Sequence, residues 1–340
     1  MYAVIICRIE MSEANTTILQ SSIFNFQSKQ RGVKMKIAVI GAGAMGSLFG
    51  AMLAEADNEV WLYDVWQEHV DTINRDGLSI ERDGNTRRVR LSATSYPDRI
   101  ERAELTIIFV KSTQTRVAAQ TALQVAGPEG SVMTLQNGMG NADCIAELID
   151  PERILAGTTS HGATMLGAGR IRHAGIGPTT IGTWSTTEQG RRLAGRFADF
   201  FTEAGIVTEA VDDVRSVVWN KLLINIGINA ITALSGIRNG QILDLEITRK
   251  LSRIAVEEAM TVARARGVAI REDAVDIVFH VAEATAVNRS SMGQDVDNHR
   301  QTEIAAINGF IVREAQELGI ETPINFALTT LIQTLESHYE

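Results

Sequence analysis

Three polar side chains interrupt an otherwise apolar stretch at 218–234, VWNKLLINIGINAITAL: Lys221, Asn225 and Asn229. They stand at i, i+4 and i+8, so on a helix they form one stripe that drifts by roughly 40° per step. Trp219, Leu222, Leu223, Ile224, Ile226, Ile228 and Ile231 point in most other directions, and a helix apolar all round is a buried one. Burying an amine and two amides without partners costs about 1–3 kcal/mol each, and more if the amine stays charged. The stripe therefore needs something polar to face. A bound ligand is one candidate. The other is a lysine that snorkels to solvent beside asparagines bonded to a neighbouring helix.

Further groups with chemical potential are scattered. LTIIFVK (105–111) reads as a buried strand that delivers Lys111 and Ser112 to its carboxyl end. SVMTLQNGMG (131–140) does the same for Asn137, although Asn-Gly is also a plain turn signal. In NRSSMGQDVDNHR, Ser291 and Gln294 fit a capping box with Ser291 as N-cap, which would offer a hydroxyl and free N–H groups to an anion. Glu303 follows as an acid on what reads as the same, mostly apolar helix, continuing to 318. Asp295 and His299 stand at i, i+4, but no third ligand lies nearby, so a surface pair is preferred to a metal site. His161 and His173 have no metal-ligand spacing and read as hydrogen-bonded structural residues.

The elements that must position these groups begin at KIAVI (36–40), a strand buried on both faces. Gly41-Ala42-Gly43-Ala44-Met45-Gly46 follows at once and opens a helix. This is G-x-G-x-x-G in its required context: a tight turn, close backbone approach to a pyrophosphate, and close helix–strand packing. EVWLY is a second strand ending at Asp64, 21 residues past Gly43, where a carboxylate bonds adenosine ribose hydroxyls and repels the extra phosphate of NADP. The alternative for Asp64 is a simple strand-end turn. Residues 78–93 read as an antiparallel excursion, 154–184 as further strands, 188–204 as an amphipathic helix and 205–211 as a last strand. From about 213 only helices are expected. The fold class is therefore α/β, a doubly wound Rossmann-type sheet over 35–212 followed by an all-helical domain over 213–340. Residues 1–34 are expected to be a loosely attached extension; a chain starting at Met35 should fold and keep its activity.

Composition narrows the functional classes. A formal net charge of −9 without a Lys/Arg cluster argues against nucleic acid, and no apolar run approaches the ~18–20 residues needed to span a bilayer. Two cysteines, Cys7 and Cys144, suggest neither a disulfide framework nor a metal site, which fits a cytoplasmic protein.

In order and spacing, GAGAMG, QNGMG at 136–140, GTTSHGA at 157–163, WNKLLINIGINAITAL with RNG after it, SSMGQD and TEIAAING resemble the ketopantoate reductase (2-dehydropantoate 2-reductase) family over about residues 35–335. The resemblance implies an active site between a dinucleotide-binding domain and a helical domain, with hydride passing from the nicotinamide to a 2-oxo carbon. It implies Lys221 as proton donor, Asn137 between nicotinamide and substrate, and Glu303 at the edge of the site. It implies Asn225, Asn229, Asn239 and Ser291 as substrate contacts, Ser291 at the carboxylate, and Lys111 and Ala163 as cofactor contacts. Carbonyl reduction needs an acid beside the oxygen, and a desolvated lysine has its pKa lowered toward the working pH. One feature departs from the family: well-studied members prefer NADPH and carry a basic residue near the end of the second strand, where this chain has Asp64-Val65-Trp66. NADH is therefore the expected cofactor, with no metal. The alternatives are an NAD-dependent D-2-hydroxyacid dehydrogenase acting on branched or aromatic 2-oxo acids, and a non-catalytic dinucleotide sensor. A homodimer is compatible with either.

Overall fold

A computed structural model describes residues 34–339, so all but the last residue of the expected extension lies outside the described residues. The first strand, β1 (Lys36–Ile40), runs parallel to β2 (Glu59–Tyr63) on one side and β6 (Leu105–Ile108) on the other, which is why KIAVI carries apolar side chains on both faces. Between β1 and β2 lies α1 (Ala44–Glu55); between β2 and β6 come α2 (Gln67–Asp76), β3 (Leu78–Arg82), β4 (Asn85–Val89) and β5 (Ser92–Thr94). The chain continues through α3 (Thr115–Ala126), β7 (Ser131–Thr134), α4 (Asn141–Ala146), β8 (Ile154–Thr159), β9 (Gly162–Gly167), β10 (Arg170–Gly175), β11 (Thr179–Thr183), α5 (Glu188–Glu203) and β12 (Thr208–Ala210).

The main sheet has the order β12-β11-β8-β7-β6-β1-β2-β5, and all its pairings are parallel except β8 with β11. The order reverses between β1 and β6, and ligands of such sheets bind outside the carboxyl ends of the strands at that point. The expected excursion over 78–93 is only partly local. β3 and β4 form the antiparallel hairpin, but β3 also pairs with β10 in a second sheet, β4-β3-β10-β9, while β5 returns to the edge of the main sheet. Helix α1 contacts strands of both sheets.

From Val214 the described residues hold helices and no strand: α6 (Val214–Ser235), α7 (Glu246–Ala265), α8 (Ala274–Ala284), α9 (Ser291–Asp297), α10 (Asn308–Leu318) and α11 (Pro323–Glu336). Asp213 starts α6 by accepting the Ser216 N–H at 3.1 Å, and Gly236 ends it at φ +72°, the left-handed stop that suits glycine. By length and composition α6 could cross a membrane, yet α7, α8, α9 and α11 pack around it and most of it is buried. Gly227 makes a close contact with α8 possible, since a β-carbon there would stand 2.6 Å from Val278 Cγ1. One apolar core runs from α6 and its neighbours into Ile40, Ala118, Met139 and Ile145 of the first domain; a second lies around α1, with Leu48, Phe49, Leu62 and Phe201.

Two expectations for the helical region need correction. Ser290, not Ser291, is the N-cap of α9, with its hydroxyl accepting the Gly293 N–H at 3.0 Å. Tertiary structure selects between the adjacent serines: the Ser290 hydroxyl is buried 2.7 Å from that of Thr232 on α6. Gln294 donates to the Arg289 carbonyl and does not complete the box. The expected continuous helix through Glu303 is also broken. Helix α9 stops after seven residues, His299 takes φ +49°, and Glu303 opens a single 3-10 turn, Ile304–Ala306, before α10.

Candidate active site

A cleft of about 1880 Å³ opens between the carboxyl ends of β1 and β6 and the exposed side of α6. On its first wall Gly41 turns the chain at φ +92°, and a β-carbon there would meet the Phe109 and Val110 backbone at 2.9 Å. At Gly46 a β-carbon would fall 1.9 Å from the Gly41 carbonyl oxygen, so turn and helix can pack only without side chains. Gly43 is the N-cap of α1, supplies no capping side chain, and has nothing within 4 Å of the place a β-carbon would take. The first N–H groups of α1 thus keep their donor capacity toward the cleft, the arrangement that suits phosphate oxygens. Asp64 sits at the rim and accepts the Ala42 N–H at 2.7 Å with one oxygen and the Trp66 N–H at 2.9 Å with the other. Each carboxylate oxygen retains a lone pair for a further donor. Trp66 lies flat against His69, 5.1 Å between ring centres, and the buried His69 accepts from Gly169 N and faces the Ser47 hydroxyl, an arrangement that fixes its Nδ1 as the acceptor. These residues fit a dinucleotide.

The opposite wall is α6. Lys221, Asn225 and Asn229 all line the cleft, Lys221 and Asn225 half-buried and Asn229 buried. The Lys221 amine donates to the Thr159 carbonyl at the end of β8, 3.0 Å away. Burial lowers its pKa to about 8, against the opposing pull of the Glu303 carboxylate. The stripe therefore faces the cleft and the end of β8, not bulk solvent alone.

The two walls are joined by polar contacts. Ser112 N and Asn137 Nδ2 approach the two oxygens of Glu303 at 3.4 and 3.5 Å. Burial raises the Glu303 pKa, partly countered by the Lys111 charge and the Ser112 N–H. Lys111 is ion-paired with Asp295 of α9, whose pKa burial raises and the lysine lowers. This is the partner that the i, i+4 reading of Asp295 and His299 missed, because it lies 184 residues away in the chain. Ala163 of β9 and Ser291 complete the lining among the expected residues. Helix α9 is too short for its terminus to contribute much, so Ser291 offers chiefly a hydroxyl.

Three expected residues are not on the cleft wall. Ala42 and Gly46 are buried behind the glycine turn, where they shape it. Asn239 is buried in a 3-10 turn, its amide donating to the Thr285 hydroxyl at 2.9 Å. His161, which also lines the cleft, forms a stacked, buried pair with His173, nitrogens 3.2 Å apart, and burial followed by His173 lowers the His161 pKa to about 4. No group of metal-ligating side chains occurs among the described residues.

An uncapped helix at the switch point of a parallel sheet, facing a buried amine across a cleft, defines an oxidoreductase of the nicotinamide-dinucleotide class. The chain belongs to the ketopantoate reductase family: the family's N-terminal profile, Ketopantoate reductase PanE/ApbA, matches residues 37–186 and its C-terminal profile matches 213–336. It is 37% identical over 300 residues to a 2-dehydropantoate 2-reductase of Halobacterium salinarum, covering 88% of this chain and 98% of that one. It is 33% identical to the Vibrio cholerae protein of the same name, over 90% and 99% of the two chains. Among solved structures, a ketopantoate reductase of this family from Ralstonia eutropha superposes with TM-score 0.81 at 35% identity over 89% and 99% of the chains. D-mandelate dehydrogenase with NADH and anilino(oxo)acetate superposes with TM-score 0.83 at 29% identity over 89% and 99%.

Proposed function

We propose that the protein reduces 2-dehydropantoate to (R)-pantoate, a step toward pantothenate and coenzyme A. The reading rests above all on Lys221, a desolvated amine on the cleft wall opposite the glycine turn. A nicotinamide bound in the cleft would supply the hydride to the 2-oxo carbon. Negative charge then develops on the oxo oxygen, and Lys221, charged below its pKa of about 8, is the group that donates a proton to it. The Thr159 carbonyl takes one of the three N–H bonds of the amine and so limits where the other two point. Asn225 and Asn229 orient the substrate without adding charge, and Ser291 offers its hydroxyl to the carboxylate. Asn137 would stand between nicotinamide and substrate, its amide 3.5 Å from Glu303. Gly41, Gly43, Ala44 and Met45 would hold the pyrophosphate, and Lys111 and Ala163 would contact the rest of the dinucleotide.

We infer further that NADH is preferred over NADPH. Asp64 keeps a carboxylate at the rim with room for ribose hydroxyls, and the next Arg or Lys in the chain, Arg75, is paired with Asp76. The structural relative solved with NADH accords with this reading. The same relative is the reason to retain a second reading, reduction of other branched or aromatic 2-oxo acids.

A panel of ketopantoate and 2-oxo-3,3-dimethylbutanoate, each run with NADH and NADPH, tests all three statements. A site built to bind the terminal hydroxyl of ketopantoate rejects the analogue that lacks it by orders of magnitude in kcat/KM. Equal rates on both acids would favour the second reading, and a higher kcat/KM with NADPH would sink the Asp64 argument.

A further inference from the structure

The loop that carries Asn137 is held by a polar network, buried at Thr115 and Asn141, that the reaction itself does not call on. Thr134, at the end of β7, donates its hydroxyl to Gln136 Oε1 at 2.8 Å. Gln136 Nε2 donates to the Val110 carbonyl at 2.8 Å and to the Thr115 hydroxyl at 2.9 Å. Thr115 donates onward to Asn141 Oδ1 at 2.8 Å, and Asn141 Nδ2 closes the circuit on the Asn137 carbonyl at 3.0 Å. Thr115 and Asn141 are both buried, at 2% and 6% exposure, so the bond between them is made without competition from water. One Gln136 proton goes to the Val110 carbonyl, and the other arm of the network runs from Gln136 through Thr115 and Asn141 to the Asn137 carbonyl.

The far side of the loop is fixed from the other domain. Gly138 takes φ +80°, and a β-carbon there would lie 2.6 Å from the Ala306 carbonyl oxygen. Met139 N donates to that same oxygen at 2.9 Å. Ala306 closes the 3-10 turn that Glu303 opens, so the loop bearing Asn137 and the turn bearing Glu303 are set against each other by backbone contact.

From this geometry we infer that Thr115 and Asn141 are positioning residues for Asn137: they hold its backbone so that its amide stays between the cleft and Glu303. The inference rests on the role given to Asn137 above. Displacement of a reacting-site group by about 1 Å can cost on the order of 100-fold in rate. Thr115→Val keeps the side-chain shape and removes the hydroxyl, leaving Asn141 Oδ1 without its donor. It should lower kcat about tenfold with little change in cofactor KM, and Thr115→Ser should restore kcat to within about twofold of wild type. In an Asn137→Ala background, Thr115→Val should change kcat by less than about twofold, because the group it positions is gone.

A kcat for Thr115→Val equal to wild type, beside an impaired Asn137→Ala, overturns the inference and leaves the site reading intact. So do effects of Thr115→Val and Asn137→Ala that multiply. A wild-type kcat for Asn137→Ala itself removes the role of Asn137 and the inference with it. If Thr115→Val does not fold, Asn141→Asp serves in its place: it matches asparagine in shape but cannot donate to the Asn137 carbonyl, and it faces the same three outcomes.

Discussion

Two lysines reach the cleft, and their surroundings are opposite. Lys111 ends the β6 segment, is two-fifths exposed, and is ion-paired with Asp295 across the domain boundary. Lys221 sits on α6 with a main-chain carbonyl as its hydrogen-bond partner, and burial has brought its pKa down to about 8. A half-solvated ammonium in contact with a carboxylate is suited to holding two elements together. An ammonium stripped of water and left with one neutral partner gives up its proton readily when negative charge forms beside it. On the proposed reading the same residue type serves once as a brace and once as an acid, and the difference lies in burial and in whether a carboxylate is in direct contact.

The contrast breaks most visibly in turnover. Lys221→Ala should lower kcat by about 10²–10⁴-fold, the usual scale for a general acid, with dinucleotide affinity by fluorescence titration unchanged. If Lys111→Met matched that loss in kcat, the division of labour would be wrong.

Next in size is the pH profile. If Lys221 is the proton donor, kcat for reduction should fall as pH rises through about 8, while the reverse oxidation should gain over the same range. Glu303 raises the Lys221 pKa, so Glu303→Gln should move the falling limb to lower pH. A limb that stays put in the variant would show that the two groups do not sense each other.

Much of this division was legible in the chain. The stripe of Lys221, Asn225 and Asn229 is a local pattern, and helical spacing is enough to bring it to one wall. The glycine turn and Asp64 are likewise set by strand, turn and helix in direct succession. What escaped was decided by distant partners. Ser290 caps α9 in place of Ser291 because a hydroxyl on α6 holds it there. Asp295 finds Lys111, and β3 finds β10, across long stretches of chain that no local period reports. The breaks before Glu303 depend on Asn298 and His299 ending α9, which an apolar pattern over 304–311 conceals. The network through Thr115 and Asn141 had only a Gln-Asn pair after a strand to announce it.

Stability offers a third test of the acid. Because the folded-state pKa of Lys221 lies below its unfolded value, charging the buried amine opposes folding fully below about pH 8, and the penalty fades as pH rises toward 10.5. Lys221→Met should therefore be more stable than the parent by about 1–3 kcal/mol at pH 7, allowing for partial solvent access, and the gap should narrow above pH 8. Urea denaturation at pH 7 and pH 9.5 measures both values, and a less stable variant at pH 7 would mean the amine is better solvated than its surroundings imply.

The smallest effects belong to the brace, and their asymmetry is the informative part. Asp295→Asn removes a mostly buried carboxylate along with its partner's charge contact, so loss and relief nearly cancel and stability should change by no more than about 1 kcal/mol. Lys111→Met leaves that carboxylate buried without its cation and should cost more, about 1–3 kcal/mol at pH 7. The cost should shrink as pH falls, because burial already raises the Asp295 pKa and loss of Lys111 raises it further, so the carboxyl protonates and the unpaired charge disappears. Denaturant midpoints for both variants at pH 7 and pH 5 decide it. Equal losses at both pH values would show that the lysine braces the domains through its aliphatic stem and not through its charge.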